Sequence, residues 1–257
     1  MTTHRIAIAL VTFVIWAVIT VWGARLLHGG EAGLGDMLSH GPAWQIVAAA
    51  AFVLAVTLWK GWGNETGLRP IRHPGTLRLA WFPMLYILSG LAAATALGLP
   101  PATVMLWVLI NTLFVGFSEE LMFRGVLLQA FRSRYSIWPA VIITSLMFGA
   151  VHSLNIFTTG QVAQSLIQSC AAALSGLIFM ALRLRTGSIW PGMLLHGLWD
   201  FSTFTFGAAA RGAVDAATAT PPGIGAMLFP VLLVLPNAIY ALYLLRNIGR
   251  DNRDPSS

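Results

Sequence analysis

The chain has 257 residues, of which 57% are hydrophobic and 9% are charged, and its mean hydropathy is +0.75. A soluble domain usually carries about 25% charged residues, so this composition excludes an ordinary soluble protein and predicts a polytopic membrane protein. The net charge of +6 does not indicate nucleic-acid binding, because the basic residues are scattered singly between apolar segments and form no stripe or patch. The partner that the composition predicts is the lipid bilayer.

Apolar segments long enough to cross a bilayer, which takes about 17–25 residues, follow one another along the chain. They are Ile6–Leu27, Ala43–Trp59, Leu79–Leu97, Ala102–Gln129, Trp138–Leu154, Val162–Leu182, Ser188–Phe206 and Ile224–Leu245. The longer connections His28–Pro42 and Gly207–Gly223 are rich in Gly, Ala, Thr and Pro, which predicts loops. The predicted fold is therefore all-α, a single membrane domain over residues 1–257 with about eight transmembrane helices.

The positions of arginine and lysine predict how these helices are oriented. If the N-terminus is cytoplasmic, twelve basic residues fall on the cytoplasmic side, and only Arg25 and Arg211 fall on the other. The twelve are Arg5, Lys60, Arg69, Arg72, Arg78, Arg132, Arg134, Arg183, Arg185, Arg246, Arg250 and Arg253. The reverse orientation inverts that ratio, so both termini are predicted to face the cytoplasm. The predicted location is the plasma (inner) membrane of a bacterium.

Three ionisable residues stand together inside the fourth predicted helix: Glu119, Glu120 and Arg124. Each such group costs about 2.5–3.5 kcal/mol at membrane depth, so a cluster indicates a functional site. Glu120 and Arg124 are four residues apart and share a helix face, whereas Glu119 is rotated by about 100°. This spacing predicts that Glu120 and Arg124 neutralise each other and that Glu119 is free for chemistry. The alternative is that all three only join neighbouring helices.

The fifth predicted helix contains His152, and the seventh contains His196 with Asp200 on the same face four residues later. A rise of 1.5 Å per residue places these three residues and Glu119 about 12–18 Å from the cytoplasmic ends of their helices. That depth is near the middle of a hydrocarbon core about 30 Å thick. The four side chains are therefore predicted to converge in one buried polar pocket, while the first three predicted helices and the eighth are expected to add only topology.

The motifs Glu-Glu-x-x-x-Arg at 119–124, Phe-x-x-x-His at 148–152 and His-x-x-x-Asp at 196–200 follow one another in this order. The chain resembles the CAAX protease and bacteriocin-processing family (CPBP, or Abi), intramembrane endopeptidases that include CAAX prenyl protease 2. The resemblance covers residues 106–206, which are predicted as the catalytic core, and the family fold also has eight helices. It implies hydrolysis of a peptide bond in a membrane-associated peptide or protein.

The resemblance also assigns roles to residues. Glu119 with His152 would activate a water, and His196 with Asp200 would stabilise the oxyanion; Phe148, Glu120 and Arg124 would support the site. The family's prenyl-protease members usually carry Asn where this chain has Asp200. An ionised aspartate would repel an oxyanion, so Asp200 would have to be protonated, orient His196 or bind a metal.

The resemblance leaves the type of protease open between a metalloprotease and a glutamate protease. Glu119, His152 and His196 would supply one carboxylate and two imidazoles, the ligand set of many catalytic zinc sites. Zinc at these residues is therefore one prediction, and a metal-free mechanism, in which Glu119 acts as a base, is the other.

Two functions other than proteolysis are compatible with the same residues. A proton- or ion-coupled transporter also places Glu, His and Asp near the middle of the membrane, but the sequence shows no pair of Gly/Pro-broken helices in matching halves. A non-catalytic immunity or binding protein with the same fold is a further alternative. The sequence does not indicate another class of intramembrane protease. His-Glu-x-x-His and Gly-x-Ser-Gly are absent, and Gly33–Asp36 matches Gly-x-Gly-Asp only in a loop.

Overall fold

The computed structural model describes residues 2–29, 33–213 and 224–251, and the regular structure within them is entirely helical. Helices suit these sequences because an apolar segment in lipid must satisfy its backbone hydrogen bonds internally. The α-helices are α1 (Thr2–His28), α2 (Leu34–Ser39), α3 (Trp44–Trp59), α4 (Gly63–Thr66), α5 (Trp81–Leu97), α6 (Ala102–Glu120), α7 (Leu128–Arg132), α8 (Ile137–His152), α9 (Ile156–Thr159), α10 (Val162–Thr186), α11 (Trp190–Ala213), α12 (Ile224–Leu245) and α13 (Ile248–Asp251). Pro74–Ala80 and Ser153–Asn155 are 3₁₀-helices, and Leu121–Leu127 is a π-helix.

Helices occupy all eight apolar segments, and six of them, within the described residues, are long and apolar enough to cross a membrane. These six spans are His4–His28, Pro74–Leu97, Ala102–Arg132, Ile137–Thr159, Val162–Thr186 and Leu228–Leu245. α3 is shorter, at 16 residues, and α11 is less apolar because it carries several polar residues. The chain is therefore an integral membrane protein, and the other two predicted spans stay predictions.

Two predicted loops differ from the structure. His28–Pro42 contains the short helix α2, because Met37 and Leu38 are buried where α2 packs against α6. α11 continues to Ala213, beyond its predicted end at Phe206. Residues 30–32 and 214–223 of these predicted loops lie outside the described residues.

α6 and α10 organise the packing: α6 contacts α11 and α3, while α10 contacts α8, α11 and α12. α6 and α11 approach closely where both carry glycine. A Cβ on Gly116 would lie 2.5 Å from the Met193 carbonyl oxygen, and one on Gly197 would lie 3.0 Å from the Leu113 Cα. Small residues permit such contacts between membrane helices. The close approach brings the end of α6 beside the first turns of α11.

The π-helix Leu121–Leu127 follows α6 directly, and all seven of its residues are buried. Its Phe123 ring contacts the rings of Trp16 and Phe148 edge-on, at centroid distances of 5.6 and 5.0 Å. π-helical turns are rare and often occur at functional sites. Here the π-helix starts immediately after Glu119 and Glu120, and it carries Arg124.

Candidate active site

Glu119 lies in the last turn of α6, and 15% of its side chain is exposed. Its Oε2 is 3.8 Å from His196 Nε2 and 4.0 Å from His152 Nε2. Neither distance is a hydrogen bond, and this buried Oε2 has no hydrogen-bond partner. Polar atoms separated by such distances suit a bridging water, so Glu119 and the two histidines can hold one water between them.

His152 ends α8, and its ring is held by the same helix. Its Nδ1 is 2.7 Å from the Phe148 carbonyl oxygen. Because a carbonyl oxygen only accepts, Nδ1 is the nitrogen that carries the proton, and in the neutral ring Nε2 presents a lone pair. The ring also meets the Phe148 ring edge-on at 4.9 Å. His152 therefore presents a proton acceptor toward Glu119.

His196 lies near the start of α11, where its ring is buried. Its Nδ1 is 2.9 Å from Glu120 Oε1, and its Nε2 is 3.6 Å from Asp200 Oδ2. The ring stacks on Phe179 with a centroid distance of 4.5 Å and an angle of 12°. These contacts fix the imidazole, so that Nδ1–H can donate to Glu120 while Nε2 points toward Glu119 and Asp200.

Glu120 and Arg124 form the ion pair predicted from their spacing. Arg124 Nη1 donates to Glu120 Oε1 at 3.0 Å, and Nη2 donates to the Gly176 carbonyl oxygen at 2.9 Å. The guanidinium also lies 4.1 Å from the centroid of the Phe148 ring. Both charged side chains are buried. The contact between Glu120 and His196 was not predicted. Glu120 therefore has two roles: it neutralises Arg124 and it also binds His196.

The structure thus brings the predicted site residues into one cluster. Glu119, His152, His196 and Asp200 are linked by the distances given above, and 25% of the Asp200 side chain is exposed, the largest fraction of the four. Phe148 contacts both His152 and Arg124. The cluster contains the groups that amide hydrolysis requires: a base, a water position and proton donors.

Comparison with known proteins gives a similarity over the segment that contains this cluster. Residues 101–202 match the family described as type II CAAX prenyl endopeptidase Rce1-like. This match covers less than half of the chain and shows a similarity to that family. The matched segment contains all the predicted site residues, from Glu119 to Asp200.

The comparison with curated proteins gives a shorter match. An Escherichia coli protein named "Uncharacterized 24.3 kDa protein" is 40% identical over 81 residues, which are 31% of this chain and 34% of that protein. The alignment therefore spans about a third of the relative's length. Its printed name states no activity, so the similarity to CAAX endopeptidases rests on residues 101–202.

A cavity of about 130 Å³, partly open to the outside, reaches the candidate site. Glu119, His152 and Asp200 line it. Much of the remaining wall comes from α1, α2 and α3, through Trp16, Ala17, Thr20, Val21, Ala24, Leu34, Met37, Leu38, Gln45 and Ile46. The expectation that the first helices add only topology was therefore wrong for α1 and α3. Trp16 is tied to the site, since its Nε1 donates to Ser118 Oγ at 2.8 Å.

Two amides on the cavity wall were also missed by the sequence-based prediction. Asn155 lies three residues after His152, and its Nδ2 donates to Gln168 Oε1 on α10 at 2.9 Å. Both are polar residues within or beside apolar segments, and that signal could have singled them out. They add neutral hydrogen-bonding groups to the cavity wall that Asp200 also lines.

The donors at the site match a zinc site in kind. The Nδ1 atoms of His152 and His196 face oxygen acceptors, which orients both Nε2 atoms as in many metal sites. In the described part of the chain, however, no group of three or more His, Cys, Asp or Glu residues is arranged to hold a metal ion. Zinc binding at Glu119, His152 and His196 stays a prediction.

Proposed function

We propose that the protein is an intramembrane endopeptidase that hydrolyses a peptide bond of a membrane-associated peptide or protein. The observation that carries this proposal is the position of Glu119: its buried Oε2 has no partner and lies within 4.0 Å of the Nε2 atoms of two histidines, beside an open cavity. The similarity of residues 101–202 to type II CAAX prenyl endopeptidases supports the same reaction. The proposed location is a bacterial inner membrane, with both termini in the cytoplasm.

The first step in this proposal is activation of a water held between Glu119 and His152. The Glu119 carboxylate and the lone pair on His152 Nε2 are both proton acceptors, so the water loses a proton to one of them as its oxygen attacks the carbonyl carbon. A new C–O bond forms, and the carbonyl oxygen becomes an oxyanion. A general base placed in this way contributes about 10²–10⁴-fold to the rate.

The second step needs a donor for the oxyanion and a proton for the leaving amine. His196, when protonated, donates from Nδ1 to Glu120 and offers its Nε2–H to the developing oxyanion. Asp200, 3.6 Å from the same Nε2, orients the ring. When the C–N bond breaks, the proton taken from water passes to the leaving amine, and Glu119 and His152 return to their starting state.

The experiment is cleavage of defined peptides by the full-length protein in lipid nanodiscs. The probes are internally quenched peptides with a farnesylated CAAX terminus and the same peptides without the farnesyl group, and mass spectrometry locates the cut. We expect one cut in at least one of these substrates. No cleavage of either would count against the protease assignment, and proton uptake by proteoliposomes would then favour the transporter. Metal content of the active preparation decides between zinc and the metal-free mechanism.

A further inference from the structure

Three arginines lie together around the turn that joins α10 to α11, and we call Arg69, Arg72 and Arg183 the arginine cluster. Arg69 Nε donates to the Gly187 carbonyl oxygen at 2.9 Å, and the Arg72 amide donates to the Thr186 carbonyl oxygen at 2.9 Å. The cluster is separate from the candidate active site, because Arg183 lies about 22 Å along α10 from the cavity residue Gln168 at 1.5 Å per residue.

Arg183 is the buried member of the cluster, with 4% of its surface exposed. Its Nη2 donates to the Glu65 backbone carbonyl at 2.9 Å, and its buried Nε has no hydrogen-bond partner. Gly67 covers the guanidinium so closely that a Cβ there would lie 2.6 Å from Arg183 Cζ. Arginine stays charged in proteins, so a full positive charge is buried against a neutral carbonyl, an arrangement in which desolvation is not offset by an opposite charge.

The other two arginines add charge of the same sign. Arg72 is exposed and packs along Gly187, where a Cβ would lie 3.0 Å from Arg72 Cδ. Burial and the charge of Arg72 both lower the pKa of Arg69. Among the described residues, no carboxylate forms an ion pair with any of the three arginines. The carboxylate of nearby Glu65 pairs with Arg5 instead. The cluster therefore concentrates positive charge without a counter-charge from the described protein.

We propose that the arginine cluster binds a phosphate group, supplied by the headgroup of an anionic phospholipid or by soluble phosphate. Guanidinium groups match phosphate geometry and form the stronger, charge-assisted hydrogen bonds. The cluster lies at the end of α10 that the arginine distribution assigns to the cytoplasmic surface, where basic pockets between helices bind anionic headgroups. A bound phosphate supplies the missing counter-charge and joins the segment after α4 to the turn between α10 and α11.

Binding is measured on the full-length protein in a neutral detergent, without reference to peptide cleavage. Phosphatidylglycerol, phosphatidylcholine and inorganic phosphate are titrated separately, with thermal unfolding and native mass spectrometry as readouts. The cluster variant is Arg69→Gln with Arg72→Gln, because Arg183 is too buried to replace safely. The matched control is Arg78→Gln with Arg134→Gln, which removes two exposed arginines outside the cluster.

We expect phosphatidylglycerol, and not phosphatidylcholine, to bind and to raise the unfolding temperature of the wild type and the control. The cluster variant should bind it at least about tenfold more weakly, as expected for the loss of charge-assisted hydrogen bonds. An equal effect of inorganic phosphate would identify soluble phosphate as a sufficient ligand; its absence would identify the lipid headgroup. Equal binding by the cluster variant and the control, or no binding of either anion, would overturn the proposal.

Discussion

At the scale of single residues, the two adjacent glutamates have different surroundings. Glu120 accepts from Arg124 and contacts His196, so its charge is shared between two buried partners. Glu119 Oε2 has no hydrogen-bond partner and faces the histidines across distances that suit a water. One glutamate therefore holds the site together, while the neighbouring one is available to react.

This difference predicts the effect of Glu120→Ala on stability. The substitution leaves Arg124 buried without its carboxylate, which typically costs about 3–5 kcal/mol. Denaturant unfolding of the purified protein measures the loss. Glu65→Ala, which removes an exposed carboxylate paired with Arg5, is the control and should change stability by no more than about 1 kcal/mol. The double variant Glu120→Leu, Arg124→Met should recover much of the loss, because it removes both charges. Equal losses from Glu119→Ala and Glu120→Ala would contradict the division of roles.

Asp200 gives a second prediction at this scale. If Asp200 orients His196 through the 3.6 Å contact to Nε2, an amide of the same shape can replace it. We expect Asp200→Asn to keep kcat for peptide cleavage within about tenfold and Asp200→Leu to lower it by about 10²-fold, the smaller end of the range for a misplaced catalytic group. Equal and large losses in both variants would show that the carboxylate itself takes part in the reaction.

At the scale of secondary-structure elements, the site depends on how closely α6 and α11 approach. Glu119 and Glu120 lie at the end of α6, and Arg124 lies in the π-helix that follows it. His196 lies on α11. Gly116 and Gly197 allow the backbones of these helices to meet next to those side chains. Gly116 and Gly197, each at most about one turn from these residues, thus permit the short distance between Glu120 and His196.

Gly116→Ala tests this dependence on helix packing. The added Cβ would meet the backbone of α11 at 2.5 Å from the Met193 carbonyl oxygen, so the helices must separate. Overpacking of this kind costs about 1–3 kcal/mol, and we expect cleavage to be lost with it. Gly212→Ala is the matched control in α11, since nothing lies within 4 Å of its Cβ position. Unchanged unfolding and activity in Gly116→Ala would show that the helix approach is not required.

The sequence predicts helices and contacts within one helix better than it predicts contacts between helices. The long helices and the pairing of Glu120 with Arg124 follow from local apolar runs and spacing within one helix. The contact between Glu120 and His196, and the part that α1 and α3 play in the cavity, depend on which helices are neighbours, and local spacing does not encode that. α2 was missed because six residues are too few to show a helical period.

Across the helix bundle, the basic residues predicted to be cytoplasmic lie apart from Arg25, which is predicted to be on the other side. The contacts of Arg5 and Arg183 with Glu65 and of Arg72 with Thr186 join the ends of several helices on one side. Arg25, by contrast, donates to the Phe157 carbonyl oxygen where α1 ends. The basic residues predicted to be cytoplasmic, such as Arg5, and Arg25, which is predicted to lie on the other side, are therefore found at two different ends of the helix bundle.

The orientation is tested with reporter fusions in bacterial cells. Because the arginine-rich end is predicted to be cytoplasmic, a fluorescent protein fused to the C-terminus should fluoresce, and alkaline phosphatase fused there should be inactive. Alkaline phosphatase fused after His40, in the connection between α2 and α3, should be active. An active phosphatase at the C-terminus would reverse the orientation and, with it, the side from which the arginine cluster is reached.

The proposed activation of the attacking water by Glu119 and His152 is tested by kcat for peptide cleavage in purified Glu119→Gln and His152→Ala. Denaturant unfolding is measured on the same samples. We expect cleavage to fall below detection in both variants. Stability should change by no more than about 1–2 kcal/mol, the usual range for single substitutions, because Glu119 Oε2 has no protein partner to lose. The control Glu65→Gln should cleave like the wild type. Wild-type cleavage by well-folded Glu119→Gln would contradict the account.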